Sequence, residues 1–290
     1  MSVPAVHPST MRYPAPAKLN LFLHVVGRRP DGYHLLQTAF RFIDFADELA
    51  FSIREDGAIA RLHDLPGVAA EADLSLRAAR LLQSRTGTRL GADIGVIKRL
   101  PMGGGLGGGS SDAATTLIVL NRLWQTRLPR AELQSLALEL GADVPVFVFG
   151  RNAFAEGVGE RLQALEIGPV WYLVLVPETS VSTAEIFSAP ELTRNTNAIT
   201  MSAFSDGLGR GLPGRNDLEP VVCRRHPQVA RHLEWLRRHA EARMTGSGAC
   251  VFSAFDTEDQ ARRVLAELPA DMRGVVARGL DRHPLWQEDD

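Results

Sequence analysis

The chain has 290 residues, with 32 lysine and arginine residues against 34 aspartate and glutamate residues, and a formal net charge of −2 at pH 7. Its hydrophobic content of 45% and charged content of 23% are ordinary for a globular protein and exclude a mainly disordered chain. Because the charge balance is near neutral, the protein has no strong positive electrostatic potential that would attract a polyanion. This argues against nucleic-acid binding and means that any anion site must be local.

Cysteine usage and apolar runs indicate a cytoplasmic protein. Cys223 and Cys250 lie far apart without a Cys-x-x-Cys spacing, which fits a reducing compartment and gives no zinc signature. The longest apolar runs have the length of strands, so no membrane association is expected. Residues 1–9 are polar, lack the apolar core of a signal peptide and are predicted to form a loose tail.

Strands and helices are mixed in the first half of the chain. The predicted elements are two strands, a helix, a third strand and two further helices, at 12–26, 39–53, 73–84, 94–98, 113–124 and 130–140. A turn is predicted at 29–32, which reads Arg-Pro-Asp-Gly. Asp73 is expected to cap the first helix, and Gly141 to end the third.

The second half is mixed in the same way. Strands are predicted over 171–176, 251–255 and 274–280, and helices over 226–239 and 257–268. Glycine-rich loops are predicted over 207–214 and 245–250. Strands and helices are thus mixed in both halves, and a domain boundary near residue 166 is expected to separate 1–166 from 167–290.

The most informative feature is a run of glycines between a predicted strand and a predicted helix. Residues 101–112 read Pro-Met-Gly-Gly-Gly-Leu-Gly-Gly-Gly-Ser-Ser-Asp. Glycine lets consecutive backbone amides approach an anion without a Cβ atom in the way. The helix expected to begin at Ser110, Ser111 and Asp112 would direct its unpaired amides and positive dipole end to the same place. The pattern predicts a phosphate-binding loop rather than a flexible linker.

Three common phosphate loops do not match this run. A Walker A loop needs a lysine directly after the glycines, and none follows. A dinucleotide-binding match through Gly103, Gly105 and Gly108 would place its acidic residue near Glu132, inside a predicted helix rather than at the end of a strand. The His-Arg-Asp and Asp-Phe-Gly signatures of protein kinases are absent.

The remaining pattern, Pro-x3-Gly-Leu-Gly-x-Gly-Ser-Ser, resembles the GHMP kinase superfamily. One branch of this superfamily phosphorylates the 2-hydroxyl of a diphosphocytidyl methylerythritol in the non-mevalonate isoprenoid pathway. This chain resembles that branch in segments 16–23, 29–34, 101–111, 141–145, 155–160 and 245–250. The resemblance implies a two-domain α+β kinase fold, with a ribosomal-protein-S5-like N-terminal domain and a ferredoxin-like C-terminal domain. ATP and a small-molecule cytidine-diphosphate substrate would lie in the cleft between them.

The resemblance also implies the catalytic pair. Asp143, in Gly-Ala-Asp-Val-Pro, takes the position of the base that accepts the proton of the substrate hydroxyl, and Lys18 takes the position beside it. A lysine there would keep the carboxylate ionised and stabilise developing negative charge. From the residues alone, Asp143 is a carboxylate in a turn and Lys18 a lysine in an apolar strand.

The binding residues follow from the same resemblance. ATP would contact Lys98, Pro101, Met102, Gly103, Gly104, Gly105, Leu106, Gly107, Gly108, Gly109, Ser110 and Ser111. The cytidine substrate would contact Asn20, Tyr33, His34, Thr183 and Phe187, with His34 on the cytosine and Phe187 as a facing ring. A third glycine motif, Thr245, Gly246, Ser247 and Gly248, would support the phosphate loop. ATP is expected to act with Mg²⁺, for which Ser110 or Ser111 is the candidate ligand.

The lysine content is a separate signal. Only Lys18 and Lys98 are lysines, and the other 30 basic residues are arginine. In a chain with this bias, a position that keeps lysine is a candidate for needing a compact ammonium group rather than a planar guanidinium.

Two alternative functions remain open at this point. A GHMP kinase of the mevalonate or homoserine type would not need Tyr33, His34 and Phe187, because its substrate carries no base to stack. A non-catalytic nucleotide-binding module would not need Lys18 and Asp143. The sequence predicts no oligomeric state.

Overall fold

A computed structural model describes residues 11–208, 211 and 213–286. The predicted tail over 1–9 lies outside the described residues, as do parts of the predicted glycine-rich loop over 207–214. The strands are β1 (Arg12–Arg28), β2 (His34–Arg54), β3 (Ile59–Arg61), β4 (Gly91–Ile97), β5 (Ala153–Gly157), β6 (Arg161–Ala164), β7 (Trp171–Leu175), β8 (Ala242–Met244), β9 (Val251–Phe255) and β10 (Gly274–Leu280). The helices are α1 (Leu74–Thr86), α2 (Gly108–Leu123), α3 (Arg130–Leu140), α4 (Val144–Phe149), α5 (Thr183–Ser188), α6 (Met201–Gly207), α7 (Glu219–Arg225), α8 (Pro227–Arg237) and α9 (Glu258–Ala266).

The N-terminal part is built on the long antiparallel pair β1 and β2. Strand β2 also pairs with β4 and β5, and the short β3 runs parallel to β4. Helices α1–α4 contribute most of the apolar side chains that pack against this sheet, among them Leu82, Leu117 and Phe147. Residues 15–25 of β1 are all buried, because the strand lies inside the molecule rather than at a solvated edge.

The C-terminal part has the strand order β10-β7-β9-β8, and all three pairs are antiparallel. Helices α7 and α8 lie in the connection from β7 to β8, and α9 connects β9 to β10. This is the βαββαβ order of a ferredoxin-like domain. Strand β10 also pairs with β2, at Gly279 opposite Ile43 and Leu280 opposite Phe42, so that the strands form one ten-stranded network.

Most predicted elements are confirmed to within a few residues, but β2 begins at His34 rather than at 39, and α2 also begins earlier than predicted. The helix was expected to begin at 110–113, and it begins at Gly108. Gly107 is the N-cap in the left-handed region, with φ of 75°, a conformation that costs glycine nothing. Gly108 and Gly109 therefore belong to the helix rather than to the loop.

Within the described residues, no helix is both long and apolar enough to cross a membrane.

Candidate active site

A cavity of about 1040 Å³ contacts both parts of the molecule. Ordinary ligand pockets measure roughly 300–1,000 Å³, so its size suits a large ligand or two. The predicted residues that line it are Lys18, Asn20, Lys98, Pro101, Met102, Gly103, Gly104, Gly105, Leu106, Gly107, Gly108, Gly109, Ser110, Asp143, Thr183, Phe187, Gly246 and Ser247. The structure thus brings most of the predicted site together around one space.

The glycine run forms the connection from β4 to α2 on the cavity wall. Gly103, Gly105 and Gly107 all have φ between 67° and 75°, which explains why side chains are excluded at these positions. The first hydrogen bond of α2 joins the Ser111 amide to the Gly107 carbonyl oxygen at 2.8 Å. The amides that precede it at the helix N-terminus have no partner in the helix, so they and the helix dipole favour an anion here.

The predicted phosphate loop, residues 103–107, rests directly on the third glycine motif and the two residues that follow it. The Ala249 amide donates to the Gly103 carbonyl at 3.2 Å, and the Cys250 amide donates to the Gly104 carbonyl at 3.0 Å. A Cβ atom on Gly105 would lie 2.2 Å from the Thr245 carbonyl oxygen. Two segments about 140 residues apart in the chain therefore form one surface, and glycine at 105 is required by their close approach.

Replacing Gly105 with alanine tests this contact. The variant is expected to lose about 2–5 kcal/mol of unfolding free energy, because φ of 75° is strained for alanine and the methyl group meets the Thr245 carbonyl. Gly87→Ala is the matched control, since Gly87 has φ of 67° with open space around its Cβ position. Its unfolding free energy should fall only by the cost of the strained φ angle, about 1–2 kcal/mol. Urea unfolding measures both, and equal losses would contradict the proposed clash.

Lys18 and Asp143 form an ion pair at the cavity. The Lys18 side chain is only 2% exposed, and its Nζ lies 3.2 Å from Oδ2 of Asp143, whose side chain is 43% exposed. Lys18 Nζ also donates to Asn20 Oδ1 at 2.5 Å and to the Gly105 carbonyl at 3.0 Å. The ammonium group is thus held between the carboxylate and the phosphate loop, while the carboxylate stays open to a ligand.

Asp143 owes its position to a short helix. It is the N-cap residue of α4, which follows the extended Gly141 that ends α3. Lys18 lies on β1, and its own amide donates to the Leu106 carbonyl of the phosphate loop at 2.9 Å. The pair therefore joins α4 to the edge of the loop, and the catalytic roles of the two residues stay predictions.

Lys98 has partners that the sequence did not indicate. Its Nζ donates to Asp47 Oδ2 and, at 2.8 Å, to Asp112 Oδ2, and both aspartates are buried. Burial and the neighbouring Asp47 raise the pKa of Asp112 to about 7, against the lowering effect of Lys98. Burial alone would lower the pKa of Lys98, but the two carboxylates outweigh it and raise that pKa. Lys98 thus fastens β2 to the start of α2 beneath the loop.

The residues predicted for base binding lie beside α5. The rings of His34 and Phe187 are 5.0 Å apart between centroids and tilted by 33°, and Phe187 lines the cavity. His34 Nε2 accepts a hydrogen bond from Nε of Arg194 at 3.0 Å. Burial, then Arg194 and Arg28, lower the pKa of His34 from its ordinary value. The imidazole is therefore biased toward its neutral form near pH 7.

Five predicted residues do not line the cavity: Tyr33, His34, Ser111, Thr245 and Gly248. The Tyr33 side chain is 67% exposed on the turn between β1 and β2. Ser111 and Thr245 are fully buried, and Thr245 Oγ1 accepts from the Asn20 amide at 2.9 Å and donates to the Gly105 carbonyl at 3.3 Å. The roles of Tyr33 and Ser111 at a ligand stay predictions, whereas Thr245 links β1 to the phosphate loop.

Other residues of the site were not predicted. Asn216 Nδ2 donates to the Met244 and Gly246 carbonyls, both at 2.8 Å, and so holds the third glycine motif in place. The segment from Asp64 to Ser75 gives the cavity an apolar wall at Leu65, Pro66 and Val68. Nothing in the local sequence marks these residues, because their contacts are made across the fold. Among the described residues, no cluster of histidine, cysteine, aspartate or glutamate side chains could hold a metal ion.

Comparisons with known proteins agree with this geometry. The family model described as "GHMP kinases N terminal domain" matches residues 73–151, and the one described as "GHMP kinases C terminal" matches residues 195–274. A curated relative from Thiobacillus denitrificans, named 4-diphosphocytidyl-2-C-methyl-D-erythritol kinase, is 63% identical over 274 residues, which cover 94% of this chain and 97% of the relative. The chain belongs to the GHMP kinase family. It is therefore a kinase that uses ATP, and the predicted two-domain α+β fold is confirmed.

Further relatives of this GHMP kinase carry the same name or the same fold. One from Aromatoleum aromaticum, also named 4-diphosphocytidyl-2-C-methyl-D-erythritol kinase, is 60% identical and covers 94% of both chains. A crystal structure of 4-(cytidine 5'-diphospho)-2C-methyl-D-erythritol kinase is 36% identical, with a TM-score of 0.81 over 93% of this chain and 99% of that one. The mevalonate kinase of Methanococcus jannaschii, 16% identical with a TM-score of 0.65 over 95% of this chain and 100% of that one, shares the fold alone.

Proposed function

We propose that this GHMP kinase transfers the γ-phosphate of ATP to the 2-hydroxyl of 4-diphosphocytidyl-2-C-methyl-D-erythritol, a step of the non-mevalonate isoprenoid pathway. Relatives at 60–63% identity carry the name of that activity. The observation that carries the proposal is the ion pair of Lys18 and Asp143, 3.2 Å apart beside a loop built to hold phosphates. A buried ammonium, an accessible carboxylate and a phosphate loop are the parts that this transfer needs.

Asp143 acts as the base in the proposed mechanism. Its carboxylate is accessible from the cavity and accepts the proton of the attacking hydroxyl as the bond to phosphorus forms. Lys18 keeps that carboxylate ionised, and its position between Asp143 and the Gly105 carbonyl places positive charge next to the transferred group. Because the transition state of phosphoryl transfer is loose, alignment and charge neutralisation contribute more than the strength of the base.

The phosphates of ATP bind at the N-terminus of α2 and along the amides of residues 103–110. Ser110 lines the cavity next to these amides. Its hydroxyl would hold a Mg²⁺ ion, since Mg²⁺ commonly takes one or two protein oxygens and keeps several waters. Such an ion would neutralise charge on the transferring phosphoryl group. Ser111 is fully buried, which favours Ser110 of the two candidates.

The rings of His34 and Phe187 support a cytidine substrate over the alternatives. Mevalonate and homoserine carry no base, so kinases of those types have no use for an imidazole paired with the phenyl ring of Phe187, which lines the cavity. A purely nucleotide-binding module would have no use for the buried Lys18 beside Asp143. Asn20 and Thr183, which line the cavity, complete the proposed substrate side together with Tyr33.

Two further proposals concern the organisation of the chain and its location. We place the boundary between the domains at residue 166, in the connection between β6 and β7. Cys223 and Cys250 are both free thiols, which supports the proposed cytoplasmic location.

A panel of acceptor alcohols tests the proposed function. Purified protein with Mg²⁺ and ATP is offered the cytidine-diphosphate substrate, mevalonate, homoserine or no acceptor, and ADP release is measured. We expect release with the cytidine substrate alone, together with a new phosphate monoester in the ³¹P spectrum. Release with a base-free alcohol and none with the cytidine substrate would overturn the assignment. ATP binding without release for any acceptor would favour the non-catalytic alternative.

A further inference from the structure

The guanidinium group of Arg194 is held in a fixed orientation beside α5. Its Nη1 donates to the Leu192 carbonyl at 3.0 Å, and its Nη2 donates to the carbonyls of Phe187 and Ala189 at 3.1 and 2.7 Å. These carbonyls lie at and just after the C-terminus of α5, where a cation is favoured by the helix dipole. Because the guanidinium is planar, three bonds to backbone atoms fix the direction of its remaining donor, Nε–H.

That remaining donor points at His34. Nε of Arg194 lies 3.0 Å from His34 Nε2. Arginine carries only donors and stays charged at any ordinary pH, so His34 Nε2 must be the acceptor. A neutral imidazole has one proton, and that proton must then lie on Nδ1. The contact thus selects one of the two tautomers of His34.

The charges around His34 favour the neutral ring that this argument requires. Arg194 and Arg28 are the charged groups that act on it, and with burial they lower its pKa. No carboxylate of the described residues makes an ion pair or a hydrogen bond with His34 that would favour imidazolium. Nδ1 has no hydrogen-bond partner among the described residues, so its proton is available to a ligand.

We propose that Arg194 is the positioning residue that sets base specificity, by holding His34 as the Nδ1–H tautomer next to Phe187. This inference rests on the proposed function, in which the substrate carries cytosine. The ring nitrogen N3 of cytosine is unprotonated and accepts a hydrogen bond, whereas N3 of uracil carries a proton and would face a second donor. Stacking alone tolerates any base, so the tautomer supplies the discrimination that the rings do not.

Arg194 also ties the two halves of the base site to each other. The same guanidinium binds the backbone of Phe187 on α5 and the side chain of His34 at the start of β2. Its loss is therefore expected to loosen both rings and to free the imidazole to exchange tautomers. Neither effect changes the ion pair of Lys18 and Asp143, which makes no contact with Arg194.

The tautomer can be read directly in the unmodified protein. Long-range ¹H–¹⁵N correlation spectra of histidine-labelled enzyme distinguish a protonated from an unprotonated ring nitrogen, and His34→Gln identifies the signals of His34. We expect Nε2 to be unprotonated and Nδ1 protonated at neutral pH. A protonated Nε2 in the neutral ring would overturn the proposal. This measurement needs no substrate, so it stands even if the proposed function fails.

Discrimination between bases tests the consequence. The ratio of kcat/KM for the cytidine substrate to that for its uridine analogue should fall by about 10- to 100-fold in Arg194→Leu. In the unmodified enzyme the Nδ1–H of His34 faces the N3–H of uracil, and such a mismatched buried donor costs about that much in affinity. We therefore expect the change mainly in KM. Arg225→Leu is the matched control, since Arg225 also braces α5, through Glu185 and Glu191, without touching His34. It should keep the ratio of the unmodified enzyme.

Three outcomes distinguish a failure of the proposal for Arg194 from a failure of the proposed function. An unchanged ratio in a folded Arg194→Leu enzyme would overturn the role of Arg194. An equal fall in Arg225→Leu would mean that α5 acts only as a scaffold, which also overturns it. If the unmodified enzyme does not phosphorylate the cytidine substrate, the proposed function fails, and the spectrum of His34 alone decides whether Arg194 selects the tautomer.

Discussion

Asp143→Asn is expected to lower kcat by about 10²- to 10⁴-fold, the usual contribution of a positioned general base. Asparagine keeps the shape of the side chain but cannot take the proton of the attacking hydroxyl. The aspartate side chain is 43% exposed and makes no capping hydrogen bond to α4, but its loss leaves the buried Lys18 ammonium without a carboxylate, so the unfolding free energy should fall while the fold is kept. ATP affinity should stay within a few-fold, because the phosphate loop does not depend on Asp143.

Single-turnover kinetics and calorimetric titration with ATP measure the two quantities separately. Glu139→Gln is the matched control, since it also removes one carboxylate nearby in the chain, from the exposed face of α3. It should keep both kcat and ATP affinity. Turnover of Asp143→Asn near that of the unmodified enzyme would remove Asp143 from the mechanism.

Lys18→Arg is expected to lower kcat by at least about 100-fold although the positive charge is kept, because misplacement by about 1 Å in an active site has an effect of that size. The ammonium group occupies a space that a guanidinium does not fit. A Cβ atom on Gly246 would already lie 3.3 Å from Nζ, and one on Gly107 would lie 3.1 Å from the Lys18 Cε atom. The larger group must therefore push the phosphate loop away or leave Asp143.

Lys18→Met separates charge from shape at the same position. It removes the charge and fits the space, so a folded but inactive methionine variant would show that the ammonium itself is required. Circular dichroism and the unfolding midpoint establish that each variant is folded before kcat is measured. An active Lys18→Arg enzyme would reduce the scarcity of lysine in this chain to a matter of composition.

The local sequence was sufficient for elements that depend on local rules. Asp73 caps α1 through the Ser75 amide, Gly141 ends α3, and β10 spans the predicted residues, because capping and alternation act over a few positions. Helix α4 could not be predicted in this way. Its sequence, Val-Pro-Val-Phe-Val-Phe, has the composition of a strand, and its helical form is set by burial against the N-terminal core.

The active site shows the same difference between features that the local sequence predicts and features that depend on the folded chain. The glycine run predicted a phosphate loop from its own residues, whereas the roles of Lys18 and Asp143 came from resemblance and could not come from spacing. Asp47 lies 51 residues before Lys98, and Arg194 lies 160 residues after His34, so only the folded chain shows these contacts. Each of them joins polar groups whose neighbours in sequence give no hint of a partner.

The pairing of β10 with β2 has a consequence for how ligands enter. A hinge rotation of one domain against the other would break the ladder at Gly279 and Leu280 and the contact of Arg243 on β8 with the Leu21 carbonyl on β1. The two parts of the molecule are thus linked by backbone and side-chain hydrogen bonds, so we expect any closure over ATP to involve segments at the rim of the cavity. The stretch from Asp64 to Asp73, which lines the cavity outside the sheet and before α1, is a segment where we expect such a movement.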